Sequence, residues 1–288
     1  MLKTRIIGVL IVKNNWVVQS INFAKFLPIG RLDVAVEYLN QWGIDEIVIL
    51  DIDASREGRS PNFEMIKSAS AFSQTPLSVG GGISSLSDME SMLRAGADKL
   101  IINSRLLTHS FLIEQGAKQF GNQCMIASID AIKKENKYMA YNNQKMDLDF
   151  SAKELAIKAE SLGAGEIFLN SIDRDGMKVG LDLKLGDEVR RDLSIPLILC
   201  GGVGKPSHLY EGINAGLDAV AAGNFFHFTE MSVIAAKQYI SQNGCSIRFD
   251  SYARYSNANF DEISERPSRH NEDVLEKLRF EYIPEEII

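Results

Sequence analysis

The feature that most constrains this chain is that it repeats itself at an offset of 120 residues. Gly43-Ile44-Asp45-Glu46 answers to Gly163-Ala164-Gly165-Glu166, and Ile47–Asp53 (IVILDID) answers to Ile167–Asp173 (IFLNSID). Gly81-Gly82 answers to Gly201-Gly202, and Ala95-Gly96-Ala97-Asp98 to Ala215-Gly216-Leu217-Asp218. Matches registered at one offset mark a chain built from two copies of a half-structure.

Each half carries four short apolar runs. In the first half these are Ile6–Lys13, Ile47–Asp53, Leu77–Val79 and Leu100–Asn103. In the second they are Met125–Ala131, Ile167–Ser171, Leu197–Cys200 and Ala219–Gly223. The runs lack polar alternation, as parallel strands covered on both faces do. Between them, Leu32–Trp42, Leu86–Ala95 and Ala152–Leu162 are amphipathic and long enough for crossover helices. Ser87 with Glu90 and Ser151 with Glu154 have capping-box spacing near helix starts. Eight strand–helix units in two sets of four predict an α/β fold, a (β/α)8 TIM barrel made of two fused half-barrels. The barrel is expected over 1–249, with half-barrels of about 1–122 and 123–249. A doubly wound open sheet is the alternative, and the self-match favours the closed barrel.

After Phe249 the composition changes. Residues 250–288 form an acidic C-terminal extension with ten acidic residues against five basic, most of the net charge of −7. It is either a solvated extension or a packing or partner-docking element, and Asp273–Phe280 suits a short helix. The whole chain, 45% hydrophobic and 24% charged, suits a soluble globular protein. No apolar run approaches the roughly 20 residues that span a bilayer, and Met1–Lys13 has no signal-peptide pattern. Three distant cysteines, Cys124, Cys200 and Cys245, read as buried thiols in a reducing cytoplasm. The charge balance gives no basic footprint for nucleic acid.

In such barrels the chemistry sits at the C-terminal strand ends. There this chain places Ile11, Asp51, Asp53, Gly80-Gly81-Gly82, Asn103, Ser104, Asp130, Asn170–Asp175, Gly201-Gly202 and Gly223-Asn224. The glycines leave backbone N–H groups open to an anion, and Gly223-Asn224 falls where barrels bind phosphate. The offset puts the two cradles on opposite sides of the mouth, which suits an elongated ligand with a phosphate at each end. Asp130 ends an apolar strand, where desolvation tunes a carboxylate for acid–base work. Asp51, Asp53, Asp173 and Asp175 add carboxylates to the rim, with Asp51 and Asp173 equally suited to anchoring loop backbone. His109, His208 and His270 read as surface residues and His227 as locally packed. No spacing suggests a metal site, a cofactor or a Ser–His–Asp arrangement.

Taken together, Arg5-Ile6-Ile7, Leu50-Asp51-Ile52, Val79-Gly80-Gly81-Gly82-Ile83, Gly96-Ala97-Asp98-Lys99, Ser128-Ile129-Asp130-Ala131, Ser171–Gly176 and Phe225–Phe228 resemble the cyclase subunit of imidazole glycerol phosphate synthase. The resemblance runs from Met1 to about Phe249. It implies a barrel that pairs with a glutaminase subunit at its bottom and passes ammonia up its axis to a doubly phosphorylated ribulosyl nucleotide. By position, Asp130 matches one of the family's two catalytic aspartates. Gly82, Asn103, Ser104, Gly176, Gly202, Ala222, Gly223 and Asn224 fall on its phosphate cradles, with variant residues at Ser104 and Gly223-Asn224. Arg5, Glu46, Lys99 and Glu166 match the charges that gate the ammonia passage, and Asp98 matches a contact to the glutaminase.

The departures lie at the mouth. The family's strand-one aspartate belongs to a Cys-Leu-Asp-Val-Lys motif, and here the run is Val9-Leu10-Ile11-Val12-Lys13. Ile11 cannot relay a proton. Gln19 replaces the family's flexible-loop lysine, and Asp53 and Asn170 replace threonines. A branch of the family with Leu or Ile at the strand-one position and an Asp-Ile-Asp-Ala strand end supports amidation of surface-polysaccharide sugars, and Asp51-Ile52-Asp53-Ala54 is similar to it. The expectation is therefore a cyclase-like subunit that channels glutamine-derived ammonia, with a separate sugar amidotransferase as recipient, along an open route from floor to rim. The alternatives are a lyase of histidine biosynthesis that tolerates Ile11, and a scaffold subunit with no conduit.

Overall fold

A computed structural model describes residues 3–141, 150–229, 231–251 and 258–268. The first half runs β1 (Arg5–Lys13), β2 (Trp16–Ile21), β3 (Lys25–Gly30), α1 (Leu32–Gln41), β4 (Glu46–Asp51), α2 (Ala54–Glu57) and α3 (Phe63–Ser70). It continues with β5 (Leu77–Gly80), α4 (Leu86–Arg94), β6 (Lys99–Ile102), α5 (Ser104–Thr108) and α6 (Phe111–Phe120). The second half runs β7 (Met125–Lys134), β8 (Lys137–Tyr141), α7 (Ala152–Ser161), β9 (Glu166–Ser171) and α8 (Leu183–Arg190). It ends with β10 (Leu197–Cys200), α9 (Pro206–Asn214), β11 (Ala219–Ala222) and α10 (Ser232–Gln242).

Strands β1, β4, β5, β6, β7, β9, β10 and β11 pair in parallel in that order. β11 returns to β1, with Arg5 opposite Ala219 and Gly8 opposite Ala222, so the ring closes. That closure separates a barrel from an open doubly wound sheet, and the protein is a (β/α)8 barrel. Side chains alternate in and out along each strand. Ile6, Leu10, Ile47 and Ile49 face the helices, whereas Ile7, Val9, Val48, Ile101 and Ile126 fill the barrel.

The apolar runs do not foretell three further strands. β2 folds back antiparallel on β1 and β3 on β2, and β8 folds back on β7, so each half extends its first strand into a hairpin. The turn after β1 is Asn14-Asn15, with φ of 50° and 63°. Asparagine tolerates the left-handed region that a two-residue hairpin turn demands, so the signal is in the sequence. Of the two capping boxes expected, Ser151–Glu154 forms at α7. The other does not: α4 begins two residues earlier, where the Ser85 side chain accepts from the Asp88 N–H. Ser87 and Glu90 lie inside that helix, and Glu90 pairs with Arg94 one turn on.

The expected open axis is also corrected. Between floor and mouth, Ile7, Val48, Ile126, Phe168, Ile198, Ala219 and Ala221 form a buried apolar layer. A barrel of this size is wide enough only for its own side chains, so the interior packs as a core.

Part of the C-terminal extension packs back on the barrel. Phe260 stacks edge-on against Tyr239 at 5.6 Å and bridges to Pro267. Glu265 is buried, accepting from the Lys205 ammonium at 2.7 Å and from the Ser207 N–H at 2.6 Å at the start of α9. His270 and Asp273–Phe280 lie outside the described residues. Among the described residues, no helix is long and apolar enough to cross a membrane.

Candidate active site

The C-terminal strand ends surround a cavity of about 1410 Å³, counting its open mouth. Its wall brings together Gly82, Asn103 and Ser104 from one side and Gly176, Gly202, Ala222, Gly223 and Asn224 from the other. Ile11, Asp51, Asp130 and Asp175 line it as well. The repeat is visible in the backbone of the two cradles. Gly81 and Gly201 have φ of 117° and 105°, and a Cβ on them would sit 2.3 Å from the Asp51 carbonyl oxygen and 2.7 Å from that of Ser171. No other residue fits these two turns. Asn103 (φ −115°, ψ −84°) and Gly223 (φ −102°, ψ −83°) hold the same conformation in the two halves.

Asp130 projects inward near the end of the apolar part of β7. Its Oδ2 accepts from the Asn103 amide at 2.8 Å, and its Oδ1 from the Asn170 amide at 3.4 Å. The Asn103 amide also donates to the Ser128 hydroxyl at 3.2 Å. Desolvation pushes the Asp130 pKa up to about 6; the two amides oppose that rise and the nearby Asp175 charge adds to it. Such a group exchanges protons near neutral pH. Ile11 is its counterpart in the other half. Asp130 pairs across the sheet with Asn170 and Ile11 pairs with Leu50, and Leu50 and Asn170 are related by the repeat. A hydrogen-bonded polar pair on one side of the mouth thus faces an apolar pair on the other.

The other rim carboxylates divide. Asp51 holds the Arg59 guanidinium through both oxygens at 2.8 and 2.9 Å and accepts from the Asp53 and Ala54 N–H groups. Asp53 is buried beneath Lys13, Arg56 and the Asn14 N–H. Asp173 accepts from the Lys133 N–H at 2.7 Å. These three anchor loops. Asp175 is different: it faces the cavity, burial raises its pKa, and it accepts from the Ser20 hydroxyl at 2.6 Å. That last bond leaves no local mark in the sequence, because it depends on the β2–β3 hairpin. Phe23 and Phe26 of the same hairpin also line the cavity. Cys200 is buried with its thiol pKa pushed up by desolvation, and His227 is half-buried with its pKa lowered by desolvation to about 4, so neither suits chemistry at neutral pH.

At the opposite end the four expected charges meet in a closed ring. Arg5 donates to Glu46 at 2.7 Å and to Glu166 at 2.9 Å, and Lys99 donates to Glu46 at 3.1 Å and to Glu166 at 2.8 Å. The Ser78 hydroxyl donates to Glu46 Oε1, which the Lys99 ammonium also reaches at 3.3 Å. Two cations and two anions in alternation cancel, which allows Glu46 to be buried. Asp98 is exposed on the same floor, with one oxygen accepting from the Leu77 N–H at 2.8 Å. Its repeat partner, Asp218, does the same for Leu197 at 3.1 Å.

Comparison with known proteins places the chain in a family. Residues 5–232 match the family model described as histidine biosynthesis protein. A provisionally named imidazole glycerol phosphate synthase subunit hisF2 of Vibrio vulnificus is 41% identical over 263 residues, covering 91% of this chain and 97% of that protein. The imidazole glycerol phosphate synthase subunit HisF of Bacillus cereus is 42% identical over 251 residues, covering 86% of this chain and all of that protein. A provisional hisF2 subunit of Campylobacter jejuni is 40% identical over 248 residues, 86% of this chain and 99% of its own. Fold, family model and relatives agree, and the chain belongs to the histidine biosynthesis protein family as a barrel of the HisF type.

Proposed function

We propose that this barrel receives ammonia from a glutaminase subunit docked at its floor and passes it along the axis to the mouth. From there the ammonia goes to a sugar handled by a separate amidotransferase, in surface-polysaccharide synthesis. The observation that carries this reading is the contrast between the two ends. The floor keeps a complete, neutral ring of Arg5, Glu46, Lys99 and Glu166. The mouth has lost one acid–base group, with Ile11 and Leu50 facing Asp130 and Asn170. Ring closure that needs two proton relays loses about 10²–10⁴-fold in rate when one is removed, whereas delivery of a neutral molecule needs none. The apolar layer beneath the cavity suits uncharged ammonia and excludes ammonium, because an unpaired cation is expensive to desolvate. Passage through that layer takes side-chain motion.

The test is to reconstitute the full chain with its glutaminase and the acceptor enzyme, and to compare glutamine hydrolysed with product amidated. The reading expects near-unit coupling in the wild type and uncoupled hydrolysis in Lys99→Ala. Unchanged coupling in that variant favours a scaffold with no conduit.

A second reading has its own support: Asp130 keeps its neutral-range pKa, and both cradles line one cavity. It makes the chain an imidazole glycerol phosphate-forming lyase that works with one aspartate. It expects product from the wild type under saturating ammonium, abolished by Asp130→Asn. Our reading expects no such product from the wild type, and a measurable rate in Ile11→Asp, where a carboxylate returns opposite Asp130.

A further inference from the structure

The two cradles share a backbone and differ in what they carry. Ser104 and Arg105 follow Asn103, whereas Asn224 and Phe225 follow Gly223 at the repeat-related positions. Arg105 lines the cavity. Phe225 instead packs against the core between sheet and helices, edge-on to Phe226 at 5.0 Å. Among the described residues, Arg105 is the one basic side chain on the cavity wall. Asp175, beside Gly176 of the second cradle, has no lysine or arginine partner among the described residues, and its charge is felt at Asp130 and Cys200.

The chain also engages its own second cradle. The Asn224 amide oxygen accepts from the Ser20 N–H at 3.2 Å, and its nitrogen donates to the Ser20 carbonyl at 2.7 Å. Asp175 fastens the same turn, accepting from the Ser20 hydroxyl at 2.6 Å and the Phe23 N–H at 3.2 Å. The hairpin backbone lies directly on the cradle, since a Cβ on Gly176 would meet the Ser20 carbonyl oxygen at 2.6 Å.

The geometry points to a cavity that takes a ligand with a single phosphate, or a comparable oxyanion, held beside Arg105 at the first cradle. The far end of that ligand is uncharged or cationic and rich in hydrogen-bond donors, which unpaired carboxylates accept. A second phosphate there meets like charge and finds no counterpart to Arg105. Asn224 is the residue that closes the second cradle. The inference rests on reading the mouth as the site of a phosphorylated ligand, and it holds whether or not nitrogen travels through the axis.

Calorimetric titration of the full chain with inorganic phosphate, ribose 5-phosphate and ribose 1,5-bisphosphate tests it. The wild type binds one inorganic phosphate per chain and holds the bisphosphate no more than about threefold tighter than the monophosphate. Arg105→Ala weakens the monophosphate at least tenfold. Asn224→Ser, whose hydroxyl is too short to bridge both Ser20 groups, admits a second phosphate and tightens the bisphosphate at least tenfold. Two phosphates per wild-type chain, or a tenfold wild-type preference for the bisphosphate, overturns the inference and leaves the mouth a phosphate site. No binding of any probe to the wild type removes the mouth as an oxyanion site, and the inference with it. An Asn224→Ser protein that binds like the wild type overturns the role given to Asn224. The wild-type comparison stands by itself if that variant does not fold.

Discussion

Asp130 is bonded by two amides and by no cation, which is why burial wins and its pKa rises to about 6 from an ordinary 3.8. The folded protein therefore holds this proton more tightly than the unfolded chain does. The stability penalty for ionising it is absent below about pH 4 and fully felt above about pH 6. Asp130→Asn carries no titrating group, so between pH 4 and pH 7 it gains about 2–3 kcal/mol on the wild type. Urea unfolding at the two pH values reads this directly, and parallel pH profiles for the two proteins contradict it. The position of Asp130 was legible, because a lone carboxylate at the end of an apolar run has few structural uses. Its surroundings were not. The amides of Asn103 and Asn170 reach it from neighbouring strands, and Asn224 finds Ser20 at the far end of the chain. Nothing local in a sequence records such contacts.

At the level of elements, the eight barrel strands were readable because parallel strands buried on both faces leave unbroken apolar runs. The hairpins are not legible as apolar runs because β2 and β8 mix polar with apolar residues and lie outside the ring. For the β1–β2 hairpin, the turn chemistry at Asn14-Asn15 is the available clue. The packed portion of the C-terminal extension is likewise held by single polar anchors that composition hides. Glu265 is the main one. Truncating it leaves the Lys205 ammonium and the Ser207 N–H without their acceptor. Glu265→Ala is expected to cost about 1–3 kcal/mol, and to raise amide hydrogen exchange around Phe260 and Pro267 before the barrel strands respond. Equal protection in both proteins removes Glu265 as the latch.

For the whole molecule, the repeat sets two half-barrels side by side, and each contributes to both ends. Floor and mouth are built by opposite ends of the same strands, and an apolar layer separates them. Ala219 and Ala221 are the small members of that layer, so they set its narrowest fill. In the proposed reading, Ala221→Leu is expected to block delivery from the floor while leaving the acceptor enzyme's use of free ammonium intact. Overpacking of this kind costs about 1–3 kcal/mol, so the variant is expected to fold. A matched loss of both activities would mean general damage to the barrel.

The most direct test is an isotope competition in the assembled system of barrel, glutaminase and acceptor enzyme. Glutamine labelled with ¹⁵N in its amide is supplied against excess unlabelled ammonium, and the label in the product is read by mass spectrometry. Passage through the axis predicts that the label survives in the wild type and falls to the bulk value in Ala221→Leu. Label diluted to the bulk value in the wild type itself would contradict the account.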